Sequence, residues 1–363
     1  MQPRAIGPFL LAACCCTAQA QPVVYGIVDV AVEHLTNVGL AGGGLTRVPG
    51  VTGSVPSRLG FRAAEDLGDG LRAVFTIEQG FAPDAGSLNQ GGRAFGRQAF
   101  VGLSGNWGTL TLGRQYTMLV WSLFDADILG PNMHGMASLD AYIANARADN
   151  AVAYRGSFAG FTVGATYSAG RDAVNAGPSP AGTNCPGESA TDKKACREWS
   201  VLGKYDTNDW GVAFAVDELR GGPGAFAGLS SSAMKDTRVT ANGYVKFGQA
   251  KLGAGLVRRD NDGNPATPKS DLWFLGASYL VNPLFMIDGE AFQLRYKNSG
   301  NRSTIGVARM TYFLSKRTAL YASLGHIDNA GTLNFSVSGG AGGSNPMAGG
   351  AQTALASGIR HTF

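Results

Sequence analysis

The chain is poor in charge, with Asp, Glu, Lys and Arg making up 15% of its 363 residues against roughly 25% in an ordinary soluble domain. Beyond its N-terminus it also lacks any run approaching the ~18 consecutive apolar residues that a membrane-spanning helix requires, which excludes a helical membrane protein. A formal net charge of only +4 and the absence of a basic block interleaved with aromatics exclude a nucleic-acid partner. Catalytic and ligand-holding signatures are missing too. GxSxG, HExxH, GxxxxGKS/T and CxxC do not occur, and His34, His134, His326 and His361 show no ligand spacing, so neither a metal site nor a cofactor is expected. A bare SxxK at Ser232 to Lys235 sits in a glycine-rich link with no partner motif, and no enzyme is expected.

Cysteine is scarce and unevenly placed. Residues 1–20 carry Arg4, then an apolar run, then Ala18-Gln19-Ala20 as a small-x-small cleavage signal, and so read as an export signal that leaves a mature chain starting at Gln21. Leu11-Ala12-Ala13-Cys14 offers a competing lipoprotein box, but its preceding apolar segment is short. Cys14, Cys15 and Cys16 leave with the signal, and the net charge falls to +3 as Arg4 goes. Cys185 and Cys196 remain, in a Gly/Pro/Ser-rich segment; outside the cytosol a loop-closing disulfide is favoured over two free thiols.

Glycine is plentiful, 53 residues with no three-residue period, which removes collagen-like and disordered readings and leaves an all-β chain. Short segments alternate with period two. Trp210, Val212, Phe214 and Val216 share one face, and Gly211, Ala213, Ala215 and Asp217 the other. A soluble sandwich would carry Lys and Glu on that second face; glycine, alanine, serine and threonine with scattered arginines suit a lumen. The alternation predicts sixteen strands, near 22–34, 56–66, 69–81, 94–105, 108–117, 149–157, 160–169, 197–206, 209–219, 236–247, 249–260, 270–281, 284–297, 302–314, 317–328 and 351–363. Most match the 9–11 residues that a tilted strand needs to cross the hydrocarbon layer. Links of two residues or so alternate with long ones such as 35–55, 118–148 and 170–196, the mark of a transmembrane barrel with tight turns at one rim and loops at the other.

Parity places some charges. Arg58 and Arg62 stand opposite Leu59 and Phe61, so both are lumen candidates, as are Arg72 and Glu78, whose bland reading is a neutralising wall ion pair. Arg97 shares parity with Ala99, Val101 and Leu103, so alternation alone leaves its face open.

At this point VVYGIVDV (23–30), SRLGFRAAEDLGDGLRAVFTIEQGF (57–81) and GRQAFVGLSGNWGTLTLGRQY (96–116) resemble the trimeric general porins of the Gram-negative outer membrane, in their betaproteobacterial branch. The likeness covers essentially the whole mature chain. It implies a 16-stranded antiparallel transmembrane β-barrel formed by residues 21–363 as one domain, with short periplasmic turns, long outer loops and an inward-folded third loop at 118–148. It implies a homotrimer in outer-membrane lipid that passes small hydrophilic solutes and anions through a water-filled pore. It implies a pore constriction with Arg58, Arg97 and Arg147 on one wall, joined by Arg62 on parity, and loop acids opposite; Asp127 matches the first acid and Asp125 neighbours it. The family's second loop acid is replaced by asparagine in Pro131-Asn132-Met133-His134-Gly135. That departure is the ground for expecting weak anion preference. Phe363 is similar to the terminal aromatic that the outer-membrane assembly machinery reads. A substrate-specific porin, a plugged adhesive barrel and a barrel hydrolase are the competing readings, the last without any supporting motif.

Overall fold

The computed structural model describes residues 21–363 apart from Thr52, Asn145 and 173–184, so the export signal lies outside the described residues. Among the described residues sixteen wall strands follow one another: β1 (Val23–Val38), β2 (Arg58–Gly68), β3 (Leu71–Ala82), β4 (Gln98–Gly105), β5 (Gly108–Tyr116), β6 (Ala151–Phe158), β7 (Phe161–Ser168) and β8 (Glu198–Asp206) form the first half. The second half comprises β9 (Trp210–Arg220), β10 (Lys235–Phe247), β11 (Ala250–Asn261), β12 (Lys269–Asn282), β13 (Phe285–Tyr296), β14 (Arg302–Phe313), β15 (Thr318–Ala330) and β16 (Ala351–Thr362). Each pairs antiparallel with its neighbours, and β1 closes the sheet on β16 in a register running from Ile27↔Thr362 to Leu35↔Ala354. Closure leaves the wall no long free edge, the condition for a sheet to sit in hydrocarbon.

The predicted strands match these to within a few residues. The largest differences are at β1, which runs on to Val38 because its outer end pairs with a short strand, Gly43–Arg47, inside the first loop, and at β4, which starts only at Gln98. Period-two alternation explains the wall. Val101, Leu103, Leu110, Leu112, Trp273 and Leu275 lie exposed on the outer face, a belt that water would penalise and lipid accepts. Near the short-turn rim Phe161, Tyr205 and Trp210 pack with tilted rings at centroid spacings of 4.5 and 5.5 Å, as an interfacial girdle does.

The inner face differs from the sequence expectation. On β12 to β15 it carries large apolar residues, Phe274, Phe292, Leu294, Ile305 and Ile327, all buried. Their partner is the third loop. That loop turns inward through α1 (Met118–Leu123) and α2 (Ala141–Ala144) and lays Leu119, Leu123, Leu129 and Leu139 against them as one hydrophobic cluster. Each such side chain contributes roughly 1.5–3 kcal/mol on burial, so the packing is strong enough to hold the loop in the lumen. Small wall residues make room: a Cβ on Gly253 would lie 2.0 Å from the Ala126 carbonyl oxygen, and one on Gly164 would lie 2.4 Å from Met118 Sδ.

Polar contacts fix the loop's ends. Its neck closes where the Thr117 N–H donates to the Ala146 carbonyl, at 3.0 Å. At the tip, buried His134 lies with Nδ1 3.1 Å from Ser323 Oγ and Nε2 3.6 Å from Glu33 Oε2. On the return, Arg238 binds Asp140 at 2.8 and 3.1 Å, and the Tyr142 hydroxyl donates to Asp217 at 2.8 Å, its ring lying between Arg171 and Arg238 at 4.6 and 4.2 Å. Burial alone would push the Asp140 carboxyl up, but Arg238 and Arg259 hold it below the ordinary carboxylate range.

Candidate pore constriction

Between the loop and the first strands a cavity of about 300 Å³ remains. The sequence-predicted arginines meet there. Arg58 comes from the start of β2, Arg97 from the residue before β4, and Arg147 from the loop's return; all three line it. Arg97 is inward because it precedes the regular strand. Its N–H bonds the Glu78 carbonyl at 3.0 Å, and β4's alternation begins only at Gln98.

The arginines are held by two residues that sequence reasoning did not assign to the constriction. Arg97 Nε donates to Glu78 Oε1 at 2.6 Å, and Arg58 Nε lies 3.8 Å from Glu78 Oε2, which also accepts from the Tyr25 hydroxyl at 3.0 Å. The Tyr116 hydroxyl accepts from Arg97 at 2.8 Å and from Arg147 at 3.3 Å, and Arg147 stands 4.7 Å over the same ring. A buried guanidinium needs such partners to offset lost hydration. Three cations gathered on one carboxylate and one phenol leave the cluster net positive. Glu78 was readable from parity as a lumen ion-pair candidate; Tyr116 had only its place at the end of the GRQY segment.

The loop acids separate. Asp127 lines the cavity, and its Oδ1 accepts the Gly130 N–H at 3.0 Å, capping a tight turn. Burial is the main influence on its carboxyl and pushes it above the ordinary range, against the pull of a hydrogen bond with the Glu290 carboxyl, the Gly130 N–H and Arg309. Asp125, expected to face the arginines, instead bonds Lys204 on β8 at 2.5 Å and does not line the cavity. Two residues along an irregular turn are enough to send neighbouring carboxylates to opposite sides of the loop. Arg62, expected beside Arg58, lies four residues further along β2, outside the cavity lining, with its guanidinium 5.1 Å from the Tyr25 ring centroid. Asn132 lines the cavity 4% exposed, where a second acid would otherwise add negative charge.

Two further sequence candidates lie away from the cavity. Cys185 and Cys196 are joined in a disulfide, Cα to Cα 5.3 Å, packed against Ala195 and Ala225 at the outer rim. Phe363 sits at the opposite rim and exchanges backbone hydrogen bonds of 3.1 Å with Gly26, where a Cβ would strike its ring at 2.4 Å. Among the described residues no group of histidine, cysteine and carboxylate side chains is arranged to hold a metal.

The family model described as Gram-negative porin matches residues 9–332. Outer membrane porin protein 32 of Delftia acidovorans is 31% identical over 374 residues, covering 95% of each chain. Among solved structures, the anion-selective porin from Comamonas acidovorans superposes with a TM-score of 0.75 at 24% identity, over 95% of this chain and all of that one. OmpT of Vibrio cholerae, solved in a trimer form, superposes with a TM-score of 0.64 at 16% identity, over 95% of this chain and 99% of that one.

Proposed function

The chain belongs to the Gram-negative porin family and forms an outer-membrane diffusion channel; from that premise we propose that it passes anions with weak preference and works as a homotrimer, exported by a cleaved signal at 1–20. A barrel of this kind replaces about 30 Å of hydrocarbon by water and polar groups, which removes a desolvation barrier of several kcal/mol for a charged solute. No bond is made or broken. Size is selected by how far the loop fills the lumen, and charge by what lines the remaining opening.

The observation that carries the anion reading is the cavity's unequal sides. Arg58, Arg97 and Arg147 stand on one side; the loop opposes them with Asn132 and Asp127 alone. Asp127 is further weakened as an anion because burial favours its neutral form. Coulomb energies of roughly 1–4 kcal/mol at a few ångströms, for effective dielectrics of about 80 to 20, bias permeation without trapping an ion. The anion-selective porin from Comamonas acidovorans and the trimeric OmpT of Vibrio cholerae lend support by likeness of fold. Phe363, held at the turn-side rim, suits a terminal assembly signal.

The test is conductance of the unboiled protein in a planar bilayer under a potassium chloride gradient. Stepwise ohmic openings with a reversal potential of the anion-preferring sign are expected, in triplets if the trimer is the unit. A cation-preferring sign contradicts the selectivity reading, and a folded barrel without conductance contradicts the open channel.

A further inference from the structure

We propose that this constriction favours amphipathic organic anions, a carboxylate carried on an aromatic ring, over compact hydrophilic anions of the same charge. The inference rests on the anion reading above and adds the chemistry of the solute's other end.

Apart from Asp127, Asn132 and Arg147, the loop's share of the cavity lining is apolar. Val120, Leu123, Phe124, Met136 and Ile143 all come from the inward loop and all line the cavity. A pore that had only to pass small hydrated ions would gain nothing from such a face, because apolar side chains replace none of an ion's hydration. A ring attached to a carboxylate does gain, since it trades its own hydration for contact with the loop while the oxyanion lies toward the arginines. Asn132, on the same lining, adds no negative charge to repel a carboxylate.

A second station follows toward the short-turn rim. Phe124, 46% exposed, meets the rings of Tyr116 and Trp121 edge-on at 5.9 and 5.2 Å. Arg155 stands over the Trp121 ring at 3.4 Å and, among the described residues, has no carboxylate within ion-pair distance. It pairs in register with Thr109, near the turn at 106–107, so it lies past the constriction. Aromatic surface and guanidinium thus recur together along the path. Repeated weak sites of one kind let a solute enter and still leave.

The experiment uses the intact protein in planar bilayers, with benzoate, acetate and benzyl alcohol as probes added to potassium chloride. Benzoate is expected to halve the chloride current at about one-fifth the concentration that acetate needs, the scale set by partial burial of one ring. Benzyl alcohol, with the ring but no charge, is expected to do less than benzoate. Phe124→Ser, at an exposed loop position, is expected to lose most of the benzoate advantage while still giving the heat-modifiable band of a folded barrel. Equal effects of benzoate and acetate, or an undiminished benzoate effect in Phe124→Ser, would overturn the inference. The chloride reversal potential of the same channels separates the layers: an anion-preferring sign with equal probes overturns this inference alone, and a cation-preferring sign overturns the reading beneath it too.

Discussion

The loop's two sides live in different solvents. Toward β12 to β16 it is glued to the wall by a dry apolar cluster, with Phe292 and Leu139 1% and 4% exposed; toward β2 to β5 it stands off, and the gap is lined by guanidinium groups. One segment of about thirty residues is core on one side and pore lining on the other. The difference teaches that a constriction in this barrel is set by where the loop is attached, and its charge by what it fails to cover.

The largest effect is expected from breaking the attachment. Arg238, 1% exposed, joins Asp140 of the loop to Asp236 of β10. Arg238→Leu leaves the Asp140 carboxylate without its ion-pair partner, while Asp236 keeps Arg259 at 2.7 Å; breaking such a buried pair costs about 3–5 kcal/mol. A lower unfolding temperature and a larger, noisier single-channel conductance are expected; a wild-type conductance would show that the loop does not depend on this contact.

Next comes the open side. Arg97→Ala removes the cation closest to Glu78 and leaves that carboxylate to Arg58 and Tyr25. The anion-to-cation permeability ratio is expected to fall by several-fold, the order of 1 kcal/mol, read from the reversal potential. Conductance changes little by comparison, because the loop's attachment is untouched.

The two loop acids sharpen the comparison through pH, with opposite signs. Asp140 is held low by Arg238 and Arg259 against the penalty of burial, so the stability it adds is present above the ordinary carboxylate pKa and is lost as pH falls through its depressed value. Asp127 is pushed up, chiefly by burial, so its favourable neutral form is complete in acid and is lost as pH rises through its elevated value. Anion preference is therefore expected to weaken as pH rises through that range, and Asp127→Asn to flatten the dependence. A pH-independent reversal potential in the wild type would contradict this.

The smallest effect belongs to Asp125, partly exposed and paired with Lys204. Asp125→Asn is expected to cost well under about 1 kcal/mol, as such pairs do, and to leave the reversal potential within error of wild type. A shift as large as that of Arg97→Ala would place Asp125 in the ion path.

The wall was legible in the sequence because alternation and hydrogen-bond register share one period, and all sixteen strands fell near their observed bounds. Arg58 was legible for the same reason. Arg97 and Arg147 were not reachable by parity, since each lies where the regular strand has stopped; only the family resemblance pointed to them. The apolar inner face was missed because a one-sided pattern was expected, yet the run Leu272-Trp273-Phe274-Leu275 carried the signal, being apolar on both faces at once. Asp125 and Asp127 could not be told apart because an irregular loop has no period to read. The pairing of Cys185 with Cys196 followed from compartment and spacing, without any strand geometry.

The most direct test of the two-sided loop is access of a charged thiol reagent to single cysteines placed on each side, with the native Cys185 and Cys196 already bonded to each other. In Phe124→Cys, a sulfonate-bearing thiol reagent should cut the bilayer current as it reacts, because residue 124 faces the cation-lined gap. In Leu139→Cys the same reagent should leave the current unchanged, because residue 139 is sealed against the wall. Modification at 139, or none at 124, would contradict the account.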